Sequence, residues 1–201
     1  MLGLLITDPA QPAIRPTEDV DLLAQVMALT GYHALGQELR SRGFLPDMRP
    51  EAPICRWRVD EVTVDVMPTR SEILGFSNRW YPLAAATARP ATLPSGRTVQ
   101  IISPAAFVAT KLEAFAGRGQ GDHLFSHDLG DIISLVDGRE SLLVELEGAD
   151  AALRHYVGAA ITQLLGFRAF RDALPGHLPG DSASQARLPE LIDKLHRIAE
   201  K

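Results

Sequence analysis

The sequence predicts an α+β fold: a small mixed sheet with helices first, then a helical C-terminal part. Three observations predict it. Residues 54–59 and 62–67 alternate apolar and polar around Asp60-Glu61, as two hairpin strands do. From Ser103 onward, apolar residues recur at helical spacing. The chain has 201 residues and is 46% hydrophobic, enough to bury a core as one domain or as a domain with a helical extension. The expected division is 1–102 for the sheet-bearing core and 103–201 for the helical region.

Residues 1–7 are apolar, and Asp8 to Pro16 holds three prolines and reads as a loop. Val20 to Val26 is expected to be a strand. Thr30 to Arg42 reads as a helix with Tyr32, Leu35 and Leu39 on one side and Gly43 as its stop. The hairpin of Ile54–Val59 and Val62–Met67 follows. Ser71 to Ala88 is less regular, a short helix with a long connection. Ala91–Leu93 and Thr98–Ile102 flank Pro94-Ser95-Gly96, a second hairpin with strong turn residues. Ser103-Pro104 then gives an N-cap and a first-turn proline, opening a helix to about Ala116. Gly117 to Asp122 is a glycine-rich loop. Further helices are expected at His127–Val136 (Leu129, Ile132, Ile133 and Val136 inward), Glu140–Leu146, Ala149–Leu165 and Leu188–Ile198. In the last, Leu188, Leu191, Ile192, Leu195 and Ile198 form one stripe, and Pro175–Asp181 is a linker before it.

Charge and composition narrow the function classes. The net charge is −5, against broad non-specific nucleic-acid binding, though a local basic patch is compatible with it. A single cysteine, Cys55, leaves no internal disulfide framework and no Cys-based zinc site; it reads as a small half-buried residue beside a strand. No signal peptide is evident, and no apolar run reaches the roughly 18 residues of a membrane span. The expectation is a cytoplasmic protein without membrane association.

The chemistry-bearing positions begin with acids. Asp19 and Asp21, two apart in a strand, point to one face. Asp65 sits in the valine run Val62-Thr63-Val64-Asp65-Val66, where it must be paired, solvated or bound to a metal, because burying a lone charge is costly. Aspartate is a poor strand former, so two in one short apolar strand are unusual. Three carboxylates on adjacent strands can hold one or two hard cations such as Mg²⁺, which clamp the oxygens of a phosphoryl displacement. Lys111 shares a helical row with Phe107, Val108 and Phe115. It either snorkels there or points into a cleft to meet a triphosphate, and the row alone favours snorkelling. Asp128 and Asp131 lie one turn apart near a helix N-terminus, where the dipole favours acids; alternatively, Asp128 orients Lys111 or an attacking hydroxyl. His123 and His127, spaced to grip a metal on a helix, make with Asp128 a phosphohydrolase alternative, but the further His and Asp such a site needs are not evident. Arg15, Arg56 and Arg58 have the chemistry to meet phosphates, with a surface role as the default, and Trp57 and Trp80 read as core or interface.

The order of these pieces resembles a known superfamily. Arg15-Pro16-Thr17-Glu18-Asp19-Val20-Asp21-Leu22 is similar to the acidic-pair motif of minimal nucleotidyltransferases, and Val64-Asp65-Val66 to their third acid. Thr110-Lys111-Leu112-Glu113-Ala114 and His127-Asp128-Leu129-Gly130-Asp131 resemble the helix-lysine and "KD-x-x-D" motifs of the AbiEii-type toxin branch, over residues 1–137. The resemblance implies a polymerase-β-like nucleotidyltransferase core in 1–102, with 103–201 completing the site and core. It implies Mg²⁺ and a nucleoside triphosphate. Asp19, Asp21 and Asp65 would be metal ligands, Asp65 also a base; Lys111 would bind phosphates, together with Arg15 and Thr17; Asp128 would support the site. It further implies nucleotide transfer to tRNA or to a protein hydroxyl, a cognate antitoxin protein as partner, and a possible homo-oligomer. Two departures stand out. The superfamily's Gly-Gly or Gly-Ser turn, whose backbone N–H groups cradle phosphates, has no counterpart before Asp19, since only Gly3 precedes Asp8. Either the turn lies upstream of Met1 or the chain has lost efficient catalysis and works as an interaction module. The second departure is His127 in place of the usual basic residue before Asp128.

Overall fold

The computed structural model describes residues 2–11 and 19–201. The chain forms two units, one of Arg15–Thr87 and one of Met1–Ile14 with Ala88–Lys201. The second hairpin, assigned from sequence to the 1–102 core, thus goes with the helices. The first unit is built on β1 (Asp19–Ala24), α1 (Leu29–Ser41), β2 (Leu45–Pro46), β3 (Arg56–Val59), β4 (Val62–Pro68), α2 (Ser71–Leu74) and α3 (Tyr81–Ala86). Its sheet runs in the order β1-β4-β3-β2, with β1 parallel to β4 and the other pairs antiparallel. The mixed α+β class expected from the sequence is present.

The Asp60-Glu61 turn fixes this sheet. Val59 faces Val62 across it, and Asp60 takes a left-handed φ of 51°, which a short polar side chain tolerates better than most. On one face Trp57, Val64 and Val66 are buried and pack with Tyr32, Leu35 and Leu39 of α1. The Tyr32 hydroxyl donates to the Val66 carbonyl at 2.8 Å, and burial pushes its pKa up to about 12. Because strand residues alternate, Asp21, Asp65 and Arg56 occupy the opposite face. Strand β1 is two residues shorter than expected at its C-terminal end. After Ala24 the chain turns, the Val26 N–H donating to the Ala24 carbonyl.

The second unit opens with a short 3-10 turn, Leu2–Leu4, in which Leu2 and, just after it, Leu5 are buried. It continues with the β5 (Arg89–Thr92) and β6 (Thr98–Ile101) ribbon around Gly96, at φ 79°. Then come α4 (Pro104–Arg118), α5 (His127–Gly138), α6 (Leu142–Glu147), α7 (Ala151–Gly166), α8 (Arg168–Ala173), a 3-10 turn at Leu174–His177, α9 (Ser182–Gln185) and α10 (Leu188–Ala199). The Ser103 and Ser126 hydroxyls cap α4 and α5 by accepting from the Ala106 and Leu129 N–H groups. Helix α4 packs on α5 and α7, and α10 on α7 and α5, with Leu191, Leu195 and Ile198 buried as the stripe requires. Helix α8 has no counterpart in the sequence reading; it is six residues long, too short for periodicity to reveal, and Phe170 is its buried anchor. The Pro175–Asp181 linker includes the end of the 3-10 turn and the N-cap of α9, where Asp181 accepts from the Ser184 N–H. Arg187 ties Asp8, Gln11 and Asp137 together, fixing the 2–11 segment to the helices. Among the described residues, no helix is long and apolar enough to cross a membrane.

Candidate functional site

The structure places the predicted acids on neighbouring strands. Parallel pairing of β1 with β4 sets Asp21 directly beside Asp65, with Asp19 two residues back on the same face. The three differ in surroundings. Asp21 is exposed and Asp19 half-buried on the edge strand, whereas Asp65 on the inner strand is only 7% exposed. Antiparallel pairing sets Arg56 opposite Asp65 on the other side. Arg56 Nε donates to Asp65 Oδ1 at 2.8 Å and Nη2 to Oδ2 at 2.7 Å, a two-pronged ion pair. The same Nη2 lies 3.5 Å from Asp19 Oδ2. The Asp65 hydrogen bonds, ahead of the opposing effect of burial, hold the Arg56 pKa above its ordinary value. Burial, then the negative charge of Asp65, pushes the neighbouring Cys55 thiol up to about 11, so it is an unreactive buried thiol.

Arg56 is the residue whose role the sequence reading missed, since a surface position was its default. The signal was available: a two-residue turn at Asp60-Glu61 necessarily faces Arg56 with Asp65. The pairing bears on the metal question. Asp19 and Asp21 offer carboxylates to a divalent cation, which for Mg²⁺ needs only one or two together with phosphate and water oxygens. Asp65 already gives a lone pair of each oxygen to Arg56, so a metal that it also ligated would share the carboxylate with the guanidinium. Among the described residues, no group of three or more His, Cys, Asp or Glu side chains is arranged to hold a metal ion. Arg15 and Thr17, expected to bind phosphates, lie outside the described residues.

The second unit carries the other predicted residues. Lys111 on α4 reaches across to α5, its Nζ 2.6 Å from Asp131 Oδ2 and 3.3 Å from Asp128 Oδ1. Arg118, two turns further along α4, donates from Nε to Asp128 Oδ2 at 3.1 Å and from Nη2 to Oδ1 at 3.0 Å. Burial pulls the Lys111 ammonium down, but the Asp131 and Asp128 carboxylates outweigh it and leave its pKa raised. Burial likewise pushes Asp128 up, and Arg118 with Lys111 more than reverses this, leaving it lowered. Asp128 is thus in contact with Lys111, and Asp131 and Arg118 complete a four-residue network that no single motif revealed. Helical spacing could have suggested Arg118, since Lys111 and Arg118 lie seven residues apart on one face.

The histidines take different places. His123 precedes α5, and its ring packs among Phe115, Phe167 and Phe170 at centroid separations of 5.6–6.1 Å. His127 is exposed at the first position of α5. The aromatic packing of His123 gives no support to a metal gripped by the two. No protein-family model matches the chain, and no curated protein matches it.

Proposed function

We propose that the chain is a nucleotidyltransferase with a polymerase-β-like core, which moves a nucleotide from an NTP to a hydroxyl of RNA, such as a tRNA end, or of a protein. The observation that carries this reading is the register of β1 on β4, which sets Asp21 beside Asp65 with Asp19 on the same face. Asp19 and Asp21 are the ligands for Mg²⁺, which when bound neutralises and aligns the triphosphate. The acceptor oxygen attacks the α-phosphorus, the bond to the β-phosphate's bridging oxygen breaks, and pyrophosphate leaves. The hydroxyl proton passes to solvent. The chain contributes position more than covalent chemistry. In the helical unit, Asp128 with Asp131 holds the Lys111 ammonium charged and oriented. The order of motifs supports the toxin branch, with an antitoxin protein as partner.

The test is incubation with Mg²⁺, each labelled NTP and total tRNA. Label on tRNA or on protein is expected, and Asp19→Asn is expected to lower it about a hundredfold or more with the fold intact by circular dichroism. Full labelling by that variant sinks the assignment.

A second reading, a nucleotidyltransferase-fold interaction module, draws support from Arg56, which occupies Asp65, and from the half-exposed Val20 and Leu22 on edge strand β1. An edge strand with apolar side chains is a template for another chain. Absence of label under every condition moves the weight to this reading.

A further inference from the structure

We infer that Arg56 is the resident cation of the acid row: it holds Asp65 and reaches Asp19, so that it competes with a divalent ion for these carboxylates and makes Asp65 its anchor rather than a metal ligand. The inference rests on the nucleotidyl-transfer reading only in giving the row a divalent ion to bind. Its basis is geometric. Asp21, Asp65 and Arg56 stand side by side across three strands, and Asp19 adjoins them on the same face. Two Arg56 nitrogens lie within 2.8 Å of the two Asp65 oxygens. The guanidinium nitrogen that lies 2.7 Å from Asp65 Oδ2 is also 3.5 Å from Asp19 Oδ2, so one cationic group serves both acids.

A metal that approaches Asp65 from the side facing Arg56 must displace this fork, and one that takes the remaining lone pairs must sit close to its charge. Mg²⁺ binds carboxylate oxygen at about 2.0–2.1 Å and demands near-octahedral room around itself. A planar guanidinium donating two parallel hydrogen bonds already fills that side of the carboxylate. Like charges also repel: a divalent ion brought to contact range of a fixed guanidinium is opposed strongly in a partly buried site. Asp65 lies almost wholly out of water, so release of Arg56 without a replacement cation would leave it uncompensated. Arg56 therefore sets how much divalent ion the row takes, and its removal converts a row of two accessible acids into a three-acid site.

Mn²⁺ alone, titrated into the full chain and followed by calorimetry and by its paramagnetic resonance signal, tests this. Arg56→Gln is expected to bind Mn²⁺ about tenfold or more tightly than the unaltered chain. Arg56→Lys, which keeps the charge but loses the planar fork, is expected to fall between them and serves as the readout if Arg56→Gln does not fold. The metal-free midpoint of thermal unfolding is expected to fall in Arg56→Gln and to recover in Arg56→Gln with Asp65→Asn, where no buried charge is left. Unchanged or weaker Mn²⁺ binding in both Arg56 variants overturns the inference, as does absence of binding in every variant. Binding by Arg56→Gln but not by the unaltered chain supports the inference while sinking metal-dependent transfer. Labelled transfer that depends on Asp19, with no gain in Mn²⁺ affinity on loss of Arg56, does the reverse.

Discussion

The two units solve one problem in different ways. Each holds an almost fully buried aspartate with a two-pronged arginine: Asp65 with Arg56 in the sheet, Asp128 with Arg118 among the helices. In the helical unit, two cations from α4 meet two acids from α5, and Lys111 bridges both acids. The network lies across one helix pair. In the sheet, the groups come from three strands, and the acids are graded by position. The inner strand's Asp65 is locked by Arg56, while the edge strand's Asp19 and Asp21 face more solvent. The difference teaches that one aspartate in the row serves as scaffold, and that the pair beside it is where a soluble cation has access.

The largest expected effect breaks the sheet cluster. Arg56→Met leaves Asp65 buried with both its hydrogen bonds gone. Truncating one partner of such a pair costs about 2–4 kcal/mol, mostly the penalty of the stranded charge. Denaturant unfolding of the full chain is expected to register that loss, and adding Asp65→Asn to restore most of it. Equal stability in Arg56→Met would mean that Asp65 is solvated and that the contrast between scaffold acid and solvent-facing acids is false.

That contrast was half legible in the sequence. The alternation of 54–59 and 62–67 located β3 and β4, and the Asp-x-Asp spacing put Asp19 and Asp21 on one face. That the two acid-bearing strands are neighbours was expected, but their register was not legible, because a parallel pairing joins strands separated by a helix and two other strands, with no turn to fix it. Arg56 was legible in principle and missed because arginine's default is the surface. In the helical unit, the stripes of α5 and α10 were plain, whereas α8 has six residues and little periodicity to display. The row of Lys111 alone favours snorkelling; Asp128 was named as a group that could orient it and the two are in contact, whereas the share of Asp131 in holding the ammonium depends on how α5 faces α4, which a row cannot give.

A smaller effect is expected on the helical side. In Lys111→Met, Asp128 keeps Arg118, so the loss is about 1.5–3 kcal/mol, the range for hydrogen bonds to charged groups. The pH dependence sharpens the comparison. Lys111 has a raised pKa, so its contribution is fully present below the ordinary value of 10.5 and is lost as pH rises through the folded value. Asp128 has a lowered pKa, so its contribution is present above 3.8 and is lost as pH falls through the folded value. The network's contribution is therefore flat between these limits. Thermal midpoints measured across pH should show the alkaline decline reduced in Lys111→Met, where the raised pKa values of Tyr32 and Cys55 still contribute, and the acid decline reduced but still present, because Arg118 remains. An unaltered alkaline decline would detach Lys111 from the network.

The smallest expected effect comes from a half-buried titratable group held by no fork. His177 is half-buried, and its Nε2 donates to the His123 carbonyl at 2.8 Å. Burial pulls its pKa below the ordinary 6.5, against the opposing pull of that carbonyl and of Asp122. The sign follows from linkage: below 6.5 the unfolded chain takes up a proton that the folded chain resists, so this residue's contribution, present above 6.5, is lost as pH falls toward the folded value. Asp128, with its arginine, defers its loss to the carboxylate range; His177, held by a carbonyl, begins to lose stability near neutrality. His177→Gln keeps an N–H donor for the His123 carbonyl and removes the titration. Its stability relative to the unaltered chain is expected to improve as pH falls from 7 to 5. A difference independent of pH across that interval would mean that His177 protonates as readily when folded as when unfolded, and that a carbonyl partner suffices to hold the charged form.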